Sequence, residues 1–400
     1  TKIYALISIA VIRIHYLCVL KLNSQFALVP FLLILFLLSL GIQLYFILNV
    51  FNKINQYEAP VSDLVALPPV SVIVCSWNEI RNLEELLPLL DTQEYPKFEI
   101  IVVDDRSYDG TYDFLLTEAH NFKHLRFIRI EETPEHLSPK KYALTLGIKS
   151  AKYDVILLTD ADCRPQSNTW IQSMASCLTK GKEIVLGFSP YFPEKTTLNK
   201  FIRYETLLTA VQYFGLALYG MPYMGVGRNL MYRKSLFFKN RGFAKHTNIL
   251  GGDDDLFMND VANEQNTAIC LDEASFMYSI PKHSWEDWYR QKTRHISVSK
   301  HYKTNHKLTL GIIASSQILF WLSFIILIPL VMFSQLVYCV LGFWLLRLIA
   351  QWVVLGKINT RLDRTISSYS IPYWDFLMTV YYVVMGVVNT LPKRKKMRWR

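Results

Sequence analysis

The chain has 400 residues, is 51% hydrophobic and carries a formal net charge of +10. Its apolar residues are concentrated at the two ends, as membrane-spanning segments require, which excludes an ordinary soluble enzyme. Residues 392–400 form a polybasic tail, and such a tail beside an apolar segment predicts binding to anionic membrane lipids and not to nucleic acid.

The amino-terminal region, residues 1–50, is predicted to lie in or on a membrane. Residues 28–50 contain no charged side chain and are long enough to cross a bilayer. Residues 1–20 are also apolar, but Arg13 and His15 interrupt them, so a second span and an interfacial helix both remain open. Residues 51–69 form a polar linker to the next region.

A soluble domain is predicted for residues 70–305. Apolar runs that are typical of buried strands lie at 70–76, 99–103 and 154–159. Helical stretches lie around 79–90, 109–119 and 138–151. Strands that alternate with helices predict an α/β fold with a mixed, largely parallel, Rossmann-like sheet. Ligands of such sheets bind beyond the carboxyl ends of the strands.

The carboxy-terminal region, residues 306–391, is predicted to return to the membrane. Residues 308–332 and 335–355 form an apolar hairpin, in which Arg347 must face protein or a polar cavity. Basic residues at 357–364 put that side in the cytoplasm. Residues 371–391 contain Asp375, and we expect an interfacial or re-entrant segment there. The sequence thus predicts a multi-pass protein of the inner or plasma membrane with a cytoplasmic soluble domain.

Polar clusters follow the first two predicted strands. Asn78 and Glu79 come after the first strand, and Asp104 and Asp105 end the second. Such side chains could bind the base and ribose of a nucleotide, although a helix cap and a turn explain the same residues. Lys141, at the start of the helix at 138–151, could approach a diphosphate or remain solvated.

A pair of carboxylates, Asp160 and Asp162, follows the third strand. Carboxylates one residue apart at a strand end can share a hard cation, and Mg²⁺ and Mn²⁺ prefer such oxygen ligands. A metal here would neutralise the phosphates of a substrate.

The densest acidic run is at 251–256 and contains Asp253, Asp254 and Asp255. Adjacent carboxylates repel one another, so the pKa of at least one should rise, as suits a general base. An acidic helix start is the alternative explanation.

A helix is predicted around 284–302, and it holds Gln291, Arg294 and His295 on one face. Arg294 could pair with phosphate oxygens. Trp288, one turn earlier, could line an acceptor groove or pack in the core.

The order of these motifs resembles that of the family 2 glycosyltransferases over about residues 69–300. That family has a GT-A fold and includes synthases of cellulose, chitin and hyaluronan, and ceramide-glucosyltransferase-like enzymes. The resemblance implies that Asp104 and Asp105 bind the nucleotide and that Asp160 and Asp162 bind metal and diphosphate. It makes Asp253 the general base, with Asp254 as the second choice if the register shifts by one residue.

The same resemblance implies roles for the last motif. Gln291, Arg294 and His295 match the family's Gln-x-x-Arg-Trp, so we expect Gln291 and Arg294 on the donor. His295, Asp255 and Trp288 are expected on the acceptor. Gly252 replaces a usual acidic residue, and His295 replaces the tryptophan that stacks on the acceptor in processive synthases.

The expected reaction is an inverting, metal-dependent sugar transfer from a nucleotide sugar to a lipid or glycan hydroxyl at the cytoplasmic membrane face, and a UDP-sugar is the expected donor. Alternatives that stay open are a processive polysaccharide synthase, a polyprenyl-phosphate glycosyltransferase and a non-catalytic scaffold that binds nucleotide sugars.

Overall fold

A computed structural model describes residues 27–59, 67–134 and 137–390 of the protein. The apolar segment at 1–20 and the polybasic tail at 392–400 lie outside the described residues, and so does the middle of the linker. The predictions made for those segments therefore stay predictions.

The strands of the described residues form a larger and a smaller sheet. In chain order they are β1 Val70–Ser76, β2 Phe98–Asp105, β3 Leu125–Ile130, β4 Val155–Asp160, β5 Cys163–Pro165, β6 Ile184–Leu186, β7 Leu230–Arg233, β8 Thr267–Ile269 and β9 Met277–Ser279. The larger sheet has the order β3-β2-β1-β4-β7-β6-β8, and β5 pairs with β9 in the smaller one.

The larger sheet is mixed but largely parallel, as the sequence predicts. Strands β3, β2, β1 and β4 run parallel to one another, whereas β7 runs antiparallel to both β4 and β6. The carboxyl ends of β1, β2 and β4 therefore meet at one edge.

Helices cover both faces of this sheet. Together with the apolar helices near the two ends of the chain they are α1 Ala27–Gln56, α2 Ile80–Asp91, α3 Thr111–Glu118, α4 Pro139–Ser150, α5 Trp170–Ser176, α6 Thr197–Leu218, α7 Lys234–Lys239, α8 Asp255–Val261, α9 Trp285–Ser299, α10 Thr304–Val331, α11 Leu336–Leu362 and α12 Ile371–Thr390. Single 3₁₀ turns are left out of this series.

The apolar strands β1 and β2 are buried on both faces, which explains why their sequences are nearly continuous runs of β-branched residues. Ile73 and Ile101 face one core, and Val72 and Ile100 face the other. Helix α4 approaches the first of these faces closely at Gly147, where an added Cβ atom would lie 2.8 Å from Ile73. This close packing fixes the position of the amino-terminal end of α4 over the strand ends.

Four helices among the described residues are long and apolar enough to cross a membrane: α1, α10, α11 and the segment Ser368–Val388. They share a buried polar network around Arg347 and Asp375, which form an ion pair. Arg347 thus faces protein, as the sequence predicts. Residues 371–390 form one continuous helix packed on α10 and α11. Its length allows a crossing as well as the interfacial placement that we expected, and its place relative to a membrane stays a prediction.

Candidate active site

The sheet register brings the predicted acidic motifs together. Ser76 at the end of β1 pairs with Asp104 of β2, and the preceding Cys75 pairs with Asp160 of β4. Asp104 and Asp160 therefore flank the end of β1 on its two sides. Beyond β4 a cavity of about 160 Å³ opens between the sheet edge, α6 and α9. Its wall includes Lys140, Asp160, Glu205, Thr206, Thr209, Arg228, Asp253, Asp254, Asp255, Gln291, Lys292, Arg294 and His295.

The turn after β1 is tied to the loop after β2. Asn78 adopts a left-handed conformation with φ 57°. Its backbone N–H donates to Ser107 Oγ at 2.8 Å, and its Oδ1 accepts from the Tyr108 backbone N–H at 2.9 Å. The side-chain oxygen of Asn78 thus holds this loop in place. Burial raises the pKa of Glu79, and the negative charge of Asp162 adds to that effect.

Asp104 and Asp105 are the last two residues of β2, and both are buried. Burial raises the pKa of Asp104, and neither of its carboxylate oxygens has a hydrogen-bond partner among the described residues. Asp105 accepts from Arg106 Nε at 2.8 Å and from Thr133 Oγ1 at 3.4 Å. Buried carboxylate oxygens without partners can accept hydrogen bonds from a ligand, which fits the donors of a nucleotide base or ribose.

The carboxylates of the metal motif differ in their partners. Asp160 accepts a hydrogen bond from Lys140 Nζ at 2.9 Å. Burial opposes ionisation of Asp160, but the lysine charge holds its pKa below the ordinary value. Asp162 has a raised pKa, because burial and the charge of Asp160 both disfavour its ionised form.

These residues fit a divalent cation. Asp160, Asp162 and Glu79 repel one another electrostatically, and a cation would remove the penalty that raises the pKa of Asp162 and Glu79. Within the described part of the chain, no group of three or more His, Cys, Asp or Glu side chains is arranged to hold a metal. A metal at this motif would therefore need further oxygen ligands from phosphate and water.

The three adjacent aspartates of the acidic run have separate roles. Asp254 caps α8: its carboxylate accepts from the backbone N–H groups of Gly227 at 2.7 Å and of Asp255 at 2.8 Å. Asp255 accepts from the Tyr302 hydroxyl at 2.9 Å. Burial and mutual repulsion raise the pKa of both Asp254 and Asp255. Asp253 instead faces Lys140, whose Nζ lies 3.5 Å from its Oδ2. This leaves Asp253 as the aspartate of the run that is best placed to meet a ligand.

Lys141 does not reach the cavity, contrary to its predicted place on the nucleotide sugar. Its Nζ donates to the backbone carbonyls of His246 at 2.6 Å and Ile249 at 2.9 Å, and its side chain is buried. The neighbouring Lys140 reaches the carboxylates instead. Successive residues of a helix point about 100° apart, so two adjacent lysines cannot share one target.

Helix α9 brings Gln291, Arg294 and His295 to the cavity, as the predicted face requires. His295 is open to the cavity, but the loss of surrounding water and the charges of Lys292 and Arg294 hold its pKa well below the ordinary value. Its imidazole is therefore neutral near pH 7. A neutral ring can accept or donate a hydrogen bond without adding charge beside a sugar.

Trp288 is a core residue and not part of an acceptor groove. It is buried, and its ring packs against Phe201 at 5.3 Å and Tyr381 at 5.7 Å between ring centres. These contacts join α9 to α6 and to α12. The tryptophan thus fixes the angle at which α9 crosses the cavity, which explains its position one turn before Gln291.

Several residues of the cavity wall were absent from the predicted site, and two of them, Lys140 and Arg228, carry charge beside the carboxylates. Lys140 could have been found from the Ser-Pro-Lys-Lys sequence at 138–141, but the choice between the two lysines depends on helix phase. Arg228 lies in the Gly-Val-Gly-Arg-Asn sequence at 225–229, where the glycines suggested close approach of a ligand or backbone. Gly227 does approach closely, because its N–H contacts Asp254.

The chain is similar to known proteins in both sequence and structure. The family model described as glycosyl transferase family 2 matches residues 71–239. Residues 71–239 are a family 2 glycosyltransferase domain. The match includes Asp104, Asp160 and Asp162, and it ends before the acidic run and α9. The predicted family and the assignment as a glycosyltransferase are confirmed, while the wider domain limits of 70–305 stay a prediction.

Proteins similar in sequence to part of this chain include a glycosyltransferase and a polysaccharide synthase. Glycosyltransferase AglE of Haloferax volcanii is 29% identical over 124 residues, which are 30% of this chain and 39% of that protein. Poly-beta-1,6-N-acetyl-D-glucosamine synthase of Staphylococcus epidermidis is 34% identical over 97 residues, 23% of this chain and 21% of that protein. The matches thus span well under half the length of these relatives.

A solved structure resembles nearly the whole chain. It is the mannosyltransferase PcManGT from Pyrobaculum calidifontis in complex with GDP-Man and Mn²⁺, with a TM-score of 0.58 and 18% identity. The likeness covers 90% of this chain and 98% of that one. It is a likeness of fold, and with the family match it confirms the predicted GT-A fold.

Proposed function

We propose that this glycosyltransferase moves a sugar from a nucleotide-sugar donor to a hydroxyl of a lipid or glycan acceptor, with inversion, at the cytoplasmic membrane face. The observation that carries the proposal is the position of Asp253. Its carboxylate lies in the cavity wall close to Asp160, and Lys140 contacts both groups. Asp253, Asp160 and Arg294 line the same cavity, so a candidate base and candidate diphosphate-binding groups would meet the same bound sugar.

The chemistry follows from these positions. Asp253 takes the proton of the acceptor hydroxyl, and the oxygen attacks the anomeric carbon from the face opposite the nucleotide. The bond to the diphosphate breaks, and its electron pair leaves with the nucleoside diphosphate. Arg294 pairs with the phosphate oxygens as their charge grows. Asp162 and Asp160 would hold Mg²⁺ or Mn²⁺, which supplies positive charge to the diphosphate.

Donor and acceptor classes rest on different arguments. The family resemblance favours a UDP-sugar, whereas the fold neighbour was solved with GDP-Man, so both donor classes belong in a test. A membrane-borne acceptor is supported by the four apolar helices beside the domain. The basic residues at 357–364 support a cytoplasmic face.

The test is nucleotide release by the detergent-purified protein with a panel of UDP- and GDP-sugars and native membrane lipid extract. We expect lipid-stimulated release from one donor, abolished by EDTA and restored by Mg²⁺ or Mn²⁺. Asp162→Ala should abolish the metal-dependent release of nucleotide. Asp272→Asn, a change at a residue outside the cavity wall, should leave that release unchanged. The anomeric configuration of the product, read by NMR, should be opposite to that of the donor. No release from any donor, or retained configuration, would contradict the proposal.

A processive synthase is the second candidate, favoured by the similarity to a poly-N-acetylglucosamine synthase. Product length separates the two. A single added sugar per acceptor supports the first proposal, and a long polymer formed from the first turnovers supports the second.

A further inference from the structure

Arg228 lies in the cavity wall, on the loop that leads into β7. Its guanidinium lies 4.5 Å from the centre of the Tyr191 ring, and its Nη2 donates to the Ser189 carbonyl at 3.2 Å. Its Nη1 is shielded from water and has no hydrogen-bond partner among the residues that the structure describes. An unpaired buried donor of a charged group is costly unless a ligand completes it.

Other charged groups of the wall already have partners. Lys140 contacts Asp160 and Asp253, and Lys292 is paired with Glu205. Among the described residues, Arg228 has only one carbonyl and one ring as direct partners, and its charge also acts on Asp160 and Asp162. A ligand oxygen that reaches Nη1 would give this donor its missing partner and would compensate the charge of the guanidinium.

The strand order indicates whether Arg228 lies on the donor side or on the acceptor side of the cavity. Asp104 and Asp105 end β2, and Asp160 ends β4 in the middle of the order β2-β1-β4-β7. Arg228 precedes β7, so it lies on the side of the metal motif away from the nucleotide-binding strands. Ser189, its anchor, follows β6 on that same side.

The wall around Arg228 also faces the membrane region. Thr206 and Thr209 of α6 line the same cavity, and α6 packs on α1, α11 and α12. A buried ion pair between Arg203 of α6 and Asp363, just after α11, strengthens this junction. An acceptor that arrives from the membrane would therefore reach the cavity along α6 and meet Arg228.

We propose that Arg228 binds an oxyanion of the acceptor, a phosphate or a carboxylate close to the reacting hydroxyl. This inference rests on the proposed transferase function and names the acceptor class more closely. A guanidinium is suited to either group, because its planar fork matches two oxygens of a phosphate or carboxylate. The flanking Tyr191 ring and the Ser189 carbonyl hold it in place before the acceptor binds.

The test uses three small amphiphiles with the same chain: hexyl phosphate, hexyl β-glucuronide and hexyl β-glucoside. Each is titrated as an inhibitor of nucleotide release in neutral detergent, with the donor and lipid extract that support turnover. Free UDP or GDP is titrated in parallel as an inhibitor, to measure whether nucleotide binding changes in each variant. The enzymes compared are the wild type, Arg228→Met, Arg228→Lys and the control Arg233→Met, which removes a surface arginine of β7 that pairs with Asp154.

We expect one of the two anionic amphiphiles to inhibit the wild type more strongly than the glucoside. That advantage should fall about tenfold to a hundredfold in Arg228→Met, as loss of a charge-assisted contact implies, and partly return in Arg228→Lys. Inhibition by the free nucleotide should be unchanged, and Arg233→Met should behave as wild type. Preference for the phosphate indicates a phosphate-bearing acceptor, and preference for the glucuronide indicates an acidic sugar.

Several results would overturn this role. The wild type could prefer neither anion, or the preference could survive in Arg228→Met. Weaker inhibition by free nucleotide in Arg228→Met would instead put the arginine on the donor. If the wild type releases no nucleotide from any donor, the proposed function itself fails, and that result is distinct because it precedes every comparison of variants.

Discussion

Two groups of buried charge in this protein differ in how completely they are paired. The first, which we name the cavity cluster, consists of Lys140, Asp160, Asp162, Arg228 and Asp253. The second, the membrane cluster, consists of Gln43, Gln317, Arg347, Gln351 and Asp375.

The membrane cluster is densely bonded. Arg347 donates to Asp375 and, through Nε, to Gln43 Oε1 at 2.7 Å. Asp375 Oδ1 also accepts from Gln351 at 2.6 Å and from Gln317 at 3.0 Å. Each of the four apolar helices contributes a polar side chain to this one network. Its hydrogen bonds are satisfied within the protein, which is typical of an architectural joint.

The cavity cluster has unmet capacity. Arg228 Nη1 has no partner in the described residues, and the pKa of Asp162 is raised by burial and by the charge of Asp160. These are costs that a metal, a diphosphate and an acceptor would remove. The comparison suggests that satisfied buried charge builds the fold and that unsatisfied buried charge marks the site of chemistry.

The largest expected effect is on turnover, from Asp253→Asn. Removing the base should lower kcat by about 10²- to 10⁴-fold. Donor affinity, measured by calorimetry, should stay near that of the wild type, because the proposed nucleotide-binding residues Asp104 and Asp105 lie on the other side of Asp160 in the sheet. Asp254→Asn is the matched control, since its carboxylate caps α8 and it should lose stability more than turnover. Near-normal turnover of Asp253→Asn would favour an acceptor that is already ionised, such as a polyprenyl phosphate.

The next effect is on stability, from Arg347→Met. This change leaves Asp375 buried without its charge partner and should cost about 3–5 kcal/mol of unfolding free energy. Arg347→Met combined with Asp375→Leu should recover much of that loss, because neither charge then remains buried. Thermal unfolding in detergent measures both. A double variant no more stable than the single one would mean that the ion pair itself, and not the orphaned carboxylate, sets the cost.

Lys141→Met should have a smaller and local effect. Its ammonium holds the carbonyls of His246 and Ile249, just before Asp253, so its loss should cost about 1–3 kcal/mol. We expect lower kcat, unchanged donor affinity and faster proteolysis within residues 246–252. Lys149→Met, at an exposed position of the same helix, is the control. A fall in donor affinity would instead support the prediction that Lys141 contacts the nucleotide sugar.

Asp255→Asn should give the smallest effect, and one that depends on pH. The folded protein raises the pKa of Asp255, so its neutral form is favoured, and stability falls as pH rises from the unfolded pKa of about 4 toward the folded value. Asparagine cannot ionise and can still accept from Tyr302. The variant should therefore be more stable than wild type near neutral pH and equal to it below about pH 4. Equal stability at all pH values would contradict the raised pKa.

The sequence predicted the features that depend on local patterns. Strands β1, β2 and β4 are nearly continuous apolar runs with carboxylates at or just after the ends of β2 and β4, so the meeting of these carboxylates at one edge follows from a parallel sheet. The helices α10 and α11 follow from apolar length, and the buried position of Arg347 follows from the cost of charge in lipid.

Features that depend on helix phase and distant contacts were not predictable. The choice between Lys140 and Lys141 needs the exact rotation of α4, which its packing at Gly147 fixes. The sequence position of Trp288 fits both a groove-lining residue and a core residue, and only its contacts with α6 and α12 show that it packs in the core. Helix α6 itself gave no clear signal, because it is buried on several faces and its apolar residues lack one stripe.

The most direct measurement is kcat per folded protein, together with the unfolding temperature, for Asp253→Asn and Asp375→Asn side by side. Each variant removes one charge from one cluster and changes the side-chain volume little. The cavity cluster is the site of sugar transfer if Asp253→Asn loses turnover at a near-normal unfolding temperature while Asp375→Asn unfolds earlier but keeps turnover in its folded fraction. The opposite pattern, with turnover lost in folded Asp375→Asn and kept in Asp253→Asn, would contradict the assignment.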